Sequence, residues 1–145
     1  NEEMLKAVME RFKHQDIVIK AAAVADYKPK TYSSIKIKKS EDDLSLSFVK
    51  DTDILKKLGT IKEDQILVGF AAESNDLIKN AKEKLKKKNL DYIVANNIVS
   101  KDTGFASDDN KVTIISKDGN NIDMLKMSKR KIARELFDMI CNSNY

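Results

Sequence analysis

The sequence has one cysteine, Cys141, one histidine, His14, one proline, Pro29, four glycines and no tryptophan. A single thiol excludes an intrachain disulfide framework and any metal site built on cysteine pairs. A single imidazole excludes zinc chemistry that rests on paired histidines. The glycines are isolated and form no GxGxxG, GKS or GKT, so no Gly-rich loop is available to cradle phosphates. No apolar run is long enough to span a bilayer, and no signal-peptide pattern opens the chain. The simplest location for such a chain is cytoplasmic.

Arginine is scarce as well. Arg11, Arg130 and Arg134 are the only ones, so the net charge of +4 comes from lysine. Aromatic residues make up 6% and are scattered, whereas nucleic-acid grooves combine arginine with stacking rings. A lysine-rich solvated surface accounts for the charge, and a small anionic substrate is the other use for it. No nucleic-acid or membrane partner is expected.

What is present suits a single α/β domain over residues 1–145, with 41% apolar and 34% charged residues. "NEEMLKAVMERF" sets Met4, Val8 and Phe12 at helical spacing with no start signal ahead of it, like the back half of a helix. "DIVIKAA", "QILVGFAA" and "LDYIVAN" run apolar without alternation, as strands buried on both faces do. Between the second and third, "NDLIKNAKEKLKKK" puts Leu77, Ile78, Ala81 and Leu85 on one side of a helix. Strand, helix and strand of this size form a parallel, right-handed crossover. "SIKIKKSEDDLSLSFVK" alternates about an acidic turn and predicts a half-exposed hairpin over residues 34–49. "DILKKLG" predicts a short helix closed by Gly59. "KVTIISKDGNNIDML" predicts a second hairpin turning at Asp118 and Gly119, and "SKRKIARELFDMICN" an amphipathic helix capped by Ser128. The sum is a Rossmann-like open, mostly parallel sheet flanked by helices, with hairpin additions.

The three parallel strands end alike, in "AAAVAD", "GFAAES" and "VANN". In open α/β sheets ligands bind outside the carboxyl ends of the strands. The alanines either admit a neighbouring helix or leave room for a flat ligand, with Asp26 placed to hold its hydroxyls. Leu77, Ala81, Lys84 and Lys88 share a helical stripe that begins as core and ends as cation. Lysine in a last helical turn is favoured by the macrodipole whether or not it binds anything. "KIKK" at 36–39 likewise suits a solvated edge strand, where lysine discourages aggregation. A polyphosphate bound here would be held by lysine point charges and backbone amides.

The blocks "AAVADY", "KIKK", "VGFAAE" and "KNLDYIVANN", in this order and with "GFASDDNKVTII" behind them, resemble phosphopantothenoylcysteine synthetase. In most bacteria that enzyme is the carboxyl-terminal half of the bifunctional flavoprotein of coenzyme A biosynthesis. The resemblance implies CTP-dependent ligation of L-cysteine to 4′-phosphopantothenate. The substrate carboxylate attacks the α-phosphate of CTP and pyrophosphate leaves; the cysteine amine then attacks the acyl-cytidylate and CMP leaves. It also implies Mg²⁺ beside CTP, and a homodimer for which the 34–49 hairpin is the candidate contact. A flavin-dependent decarboxylase domain is often fused ahead of it.

Position by position, the resemblance lays Lys20, Ala21 and Ala22 along the nucleotide and gives Asp26 the ribose or base edge. Lys36 becomes a CTP contact and the catalytic lysine of the second step. Thr52, Asp53, Ile54 and Leu55 match a segment whose helix-start amides face the ligand, with Thr52 where the family usually has proline. Phe70 packs on the nucleotide, and Lys84 and Lys88 reach the phosphates. Metal ligands are not assigned. The family's "GPTxE…D" and "NRSSGxMG" stretches have no counterpart here, so the chain is expected to be a fragment carrying the CTP side of the site. A non-catalytic nucleotide-binding module and a polyanion binder are the rival classes.

Overall fold

The three unbroken apolar stretches form the middle of one sheet. The computed structural model describes residues 1–38, 43–97 and 108–142. In chain order the elements are α1 (Glu2–Phe12), β1 (Ile17–Lys20), β2 (Tyr27–Pro29), β3 (Phe48–Lys50), α2 (Ile54–Ile61), β4 (Ile66–Glu73), α3 (Leu77–Lys87) and β5 (Tyr92–Asn97). They continue with β6 (Asp109–Asn110), β7 (Val112–Ser116), β8 (Asn121–Asp123), β9 (Met127–Ser128) and α4 (Lys129–Asn142). The main sheet runs in the order β1-β4-β5-β7-β8. Strands β1, β4 and β5 are parallel, and β7 and β8 extend the sheet antiparallel.

Alternation along the strands divides the core in two. Leu67, Ala71, Ile93, Ala95 and Ile115 face α1, α2 and α3 and join Phe12, Leu58, Ala81 and Leu85. Val68, Val94, Val112 and Ile114 face the other way and meet Ile132, Leu136 and Ile140 of α4. The fold is therefore helix, sheet, helix in three layers, with the mostly parallel sheet that the sequence predicts. Among the described residues, no helix is long and apolar enough to cross a membrane.

Most predicted elements appear where expected. Leu77, Ile78, Ala81 and Leu85 of α3 all pack on the first core. The β7–β8 hairpin turns through Gly119, whose φ of 89° suits a residue without a Cβ. Ser128 caps α4, its Oγ accepting from the Lys131 amide at 3.3 Å.

Two expectations are corrected. The strand at 48–50 pairs not within 34–49 but with β2 upstream, in the register Tyr27↔Lys50, Lys28↔Val49 and Pro29↔Phe48. The described residues between 30 and 47 contain no strand. Their alternation has no core beneath it, because Ile35, Ile37, Leu44 and Leu46 are all exposed. The acidic turn at 39–42, with Lys39, lies outside the described residues. Gly59 does not end α2 either, since the helix continues to Ile61. The missing side chain serves packing instead: a Cβ at Gly59 would stand 1.9 Å from the carbonyl oxygen of Lys88.

Candidate functional site

The three parallel strands deliver their carboxyl ends to one side of the molecule, and a cleft of about 730 Å³ opens there. Its floor is Lys20 to Asp26 as the chain leaves β1, with Phe70, Ala71 and Ala72 of β4 beside them. Residues 21–23 are exposed, so these alanines do not cushion a helix. They leave backbone open to the cleft.

The β2–β3 ladder brings the chain back to that floor. The Asp51 amide donates to the Asp26 carbonyl at 2.8 Å, which sets Asp51, Thr52 and Asp53 beside Asp26. Asp53 is the N-cap of α2 and accepts from the Lys56 amide at 3.1 Å. Ile54 and Leu55 follow with their side chains in the core, yet both still border the cleft. The amino-terminal end of α2 therefore faces the open space, and its orphan amides favour an anion there.

Two lysines of the α3 stripe enter from the same side, and each arrives paired. Lys88 Nζ lies 2.9 Å from Asp53 Oδ2, and Lys84 Nζ lies 2.5 Å from Glu73 Oε1. Asn80 Nδ2 holds the other oxygen of Glu73 at 3.3 Å. Lys20 has a different environment, with Nζ donating to the Ala22 carbonyl at 3.3 Å. Burial pulls its pKa below the ordinary lysine value; Asp53 opposes this, Lys88 adds to it and Asp26 opposes it. Burial by itself would raise the Asp53 pKa. The hydrogen bonds from Lys88 and the Lys56 amide, with the charges of Lys88 and Lys20, outweigh it and leave that carboxyl below its usual range. Hydrogen bonds from Asn1 and the Thr52 amide hold Asp51 low in the same way, against a smaller effect of burial, and nearby Lys28 adds its charge.

Of the residues singled out in the sequence, Lys20, Ala21, Ala22, Asp26, Thr52, Asp53, Ile54, Leu55, Phe70, Lys84 and Lys88 all border this cleft. Lys36 does not: it is exposed on the connection between β2 and β3. The sequence reading also passed over Asp51, Asn96, Asn110, Lys129 and Phe137, which border the cleft too, and Glu73, which pairs with Lys84 at its edge. Glu73 and Asn96 sit in strand ends already noted for ending in a carboxylate or amide. Phe137 had no signal, because an aromatic on an amphipathic helix reads as core. Asn96 Oδ1 is buried with no hydrogen-bond partner among the described residues. Such an atom carries a desolvation cost of about 1–3 kcal/mol.

No group of three or more His, Cys, Asp or Glu side chains that could hold a metal ion occurs among the described residues. Asp51, Asp53 and Glu73 are instead each paired with a lysine, Lys28, Lys88 and Lys84 in turn.

Comparison with known proteins bears on this geometry. The model of the DNA/pantothenate metabolism flavoprotein C-terminal domain matches residues 1–143. The coenzyme A biosynthesis bifunctional protein CoaBC of Bacillus subtilis (strain 168) is 46% identical over 138 residues, which cover 95% of this chain and 34% of that protein. A cysteine/cysteine sulfinic acid decarboxylase of an unknown prokaryotic organism is 43% identical over 140 residues, 95% of this chain and 39% of that protein. The crystal structure of the C-terminal domain of a coenzyme A biosynthesis bifunctional protein CoaBC superposes with a TM-score of 0.76 at 37% identity. That superposition covers 96% of this chain and 60% of the other. The chain thus spans little more than a third of the curated relatives it matches, at 34% and 39% of their lengths.

Proposed function

The chain belongs to the family of the DNA/pantothenate metabolism flavoprotein C-terminal domain, and we propose that it forms the nucleotide side of a phosphopantothenate–cysteine ligase site. The reaction is the CTP-dependent joining of L-cysteine to 4′-phosphopantothenate in coenzyme A biosynthesis, in the cytoplasm. The observation that carries this reading is the cleft itself. Alanine backbone, a helix amino terminus and three lysines converge where a parallel sheet presents its strand ends.

In this reading the triphosphate lies toward α2 and α3. Lys84 and Lys88 exchange Glu73 and Asp53 for phosphate oxygens, and the first amides of α2 add their dipoles. The phosphopantothenate carboxylate attacks the α-phosphorus, the bond to the bridging oxygen breaks, and pyrophosphate departs with its new charge. The lysines neutralise that charge where it develops. The cysteine amine then attacks the acyl carbon, loses a proton and expels CMP. Asp26 accepts from the ribose hydroxyls, and Phe70 packs on the nucleotide. Mg²⁺ bound with CTP would be held chiefly by the phosphate oxygens and would supply further charge neutralisation there.

Lys36 belongs to the second step in this scheme, and its place on an exposed arm makes assembly part of the proposal. The arm is our candidate contact in a homodimer, and docking is what carries Lys36 to a cleft. We place a fused flavin-dependent decarboxylase, where one exists, outside this chain.

Calorimetry with CTP, ATP, GTP and UTP tests the first half of the reading. CTP should bind tightest, with Mg²⁺ assisting, and indifferent binding of all four would remove the pyrimidine preference. In a protein carrying this chain within the length of its relatives, pyrophosphate release should require phosphopantothenate. Product formation should require cysteine. Nucleotide binding without turnover there would leave a non-catalytic module as the better description.

A further inference from the structure

Strand alternation turns Lys20 toward the face that α2 and α3 cover, since Val18 packs on the first core and Ile17 and Ile19 on the second. Lys20 is half-buried and borders the cleft. Its Nζ donates to the Ala22 carbonyl at 3.3 Å, and it forms no ion pair among the described residues. Lys84 and Lys88 differ, because Glu73 and Asp53 already neutralise them. A half-buried cation without a carboxylate is costly to keep, and burial accordingly pulls its pKa down. A bound anion supplies the missing counter-charge.

The charged groups close enough to act on Lys20 are Asp53, Lys88 and Asp26. In the nucleotide reading Lys88 takes the departing pyrophosphate and Asp26 the ribose. The α-phosphate joins those two parts of the molecule, and Lys20 stands among the residues that hold them. An anion at Lys20 displaces no carboxylate, whereas one at Lys84 or Lys88 must first break an ion pair.

We infer that Lys20 is a catalytic residue, its ammonium bound to the non-bridging oxygens of the nucleotide's α-phosphate. Both steps of the reaction pass through that group. In the first, a carboxylate oxygen bonds to the α-phosphorus, the bond to the bridging oxygen breaks, and pyrophosphate takes the electron pair. In the second, the cysteine nitrogen bonds to the acyl carbon and its proton passes to solvent. The carbon–oxygen bond breaks, and CMP takes that electron pair. Charge on the α-phosphoryl oxygens changes in each step, and a fixed cation beside them stabilises it. This inference rests on the nucleotide reading above. It gives Lys20 a part distinct from that of Lys84 and Lys88, which meet only the departing pyrophosphate.

The test is calorimetric titration of the chain, Lys20→Met, Lys20→Arg and Lys88→Ala with CTP and with CMP. Methionine keeps most of the apolar stem and removes the charge, so the fold is preserved. Lys20→Met should weaken CTP and CMP alike, each by about tenfold or more, the scale of a charge-assisted contact. Lys20→Arg restores the charge and should recover most of that loss. Lys88→Ala should weaken CTP by a similar factor and leave CMP within about threefold of the parent. In a protein of the relatives' length, at saturating CTP, Lys20→Met should slow both phosphopantothenate-dependent pyrophosphate release and cysteine-dependent CMP release. Unchanged CMP affinity in Lys20→Met overturns the inference, as does an equal loss of CMP affinity in Lys88→Ala. A parent that binds CTP but not CMP overturns it too, and so does a Lys20→Met enzyme that keeps the parental rate at saturation. A parent that binds neither nucleotide fails the nucleotide reading itself, an outcome separate from the others.

Discussion

Lys88 shows how one side chain links stability to binding. Its ammonium is held at 2.9 Å by Asp53, and the same carboxylate caps α2 through the Lys56 amide. In the proposed site a polyphosphate would compete with Asp53 for Lys88, which the resting pair holds in place. Lys88→Ala should weaken triphosphate binding by about 1.5–3 kcal/mol, the range for a charge-assisted contact. Lys38→Ala, on the exposed connection, should stay within about 0.5 kcal/mol of the parent. Calorimetry with CTP separates the two. Asp53 also makes an acid prediction. Its folded pKa lies below its ordinary value, so its stabilising contribution is complete above the unfolded carboxylate pKa. That contribution fades as pH falls through the lower folded value. Thermal midpoints measured from pH 6 down to pH 2 should therefore decline less steeply for Asp53→Asn than for the parent. Asp53→Ala loses the cap as well and should cost about 1 kcal/mol at neutral pH. Identical acid limbs for parent and Asp53→Asn would mean that Lys88 does not depend on this carboxylate.

Helix α2 and the end of α3 act as a single positioning device. Lys88 meets α2 twice, by its carbonyl against Gly59 and by its ammonium at Asp53. Asn89, in the left-handed conformation with φ 51°, adds a hydrogen bond from Nδ2 to the Gly59 carbonyl at 2.9 Å. Gly59→Ala would place a Cβ in overlap with backbone, which cannot rotate away. It should destabilise the fold by about 1–3 kcal/mol or more and weaken CTP binding as well, because α3 must shift. Denaturant unfolding and calorimetry on the same sample check both effects; unchanged CTP affinity would separate the helix contact from the site. This contact also marks what was legible in the sequence. Unbroken apolar runs fixed the parallel strands, and the amphipathic stripe of α3 fixed which side faces the core. Glycine after a leucine looks the same whether it ends a helix or admits a neighbouring backbone, so Gly59 was misread. The candidate cleft was legible in its strand ends and in Lys20, Lys84 and Lys88, but Lys36 does not border it. The partners of those lysines were not, because Glu73 meets Lys84 only once β4 and α3 are packed. The 34–49 alternation fixed a strand at 48–50, but its partner came from upstream through a pairing that periodicity does not encode.

At the scale of the molecule, the unresolved tension is the arm between β2 and β3. Ile35 and Leu44 expose 79% and 65% of their surface, and Ile37, Leu46 and Phe48 are also exposed. Single exposed apolar residues are ordinary, but several on the described parts of one connection suit an interaction surface. Long connections without regular structure are commonly functional. In the homodimer proposed above, two such arms would cover these side chains, and a stable contact of that kind buries about 1,200–2,000 Å² in total. The substitutions Ile35→Ser, Ile37→Ser and Leu44→Ser, made together, should convert a dimer into a monomer in sedimentation equilibrium at micromolar concentration. CTP affinity should stay within about threefold of the parent, because none of the three borders the cleft. Synthesis, measured in a protein of the relatives' length, should fall by about as much as it does in Lys36→Ala, since both changes keep Lys36 from a cleft. Lys38→Ala should leave it nearly unchanged. A monomeric parent would remove the arm as a dimer contact. A monomeric variant with full synthesis would show that Lys36 needs no second copy, and equal small losses at Lys36 and Lys38 would return both to the solvated surface.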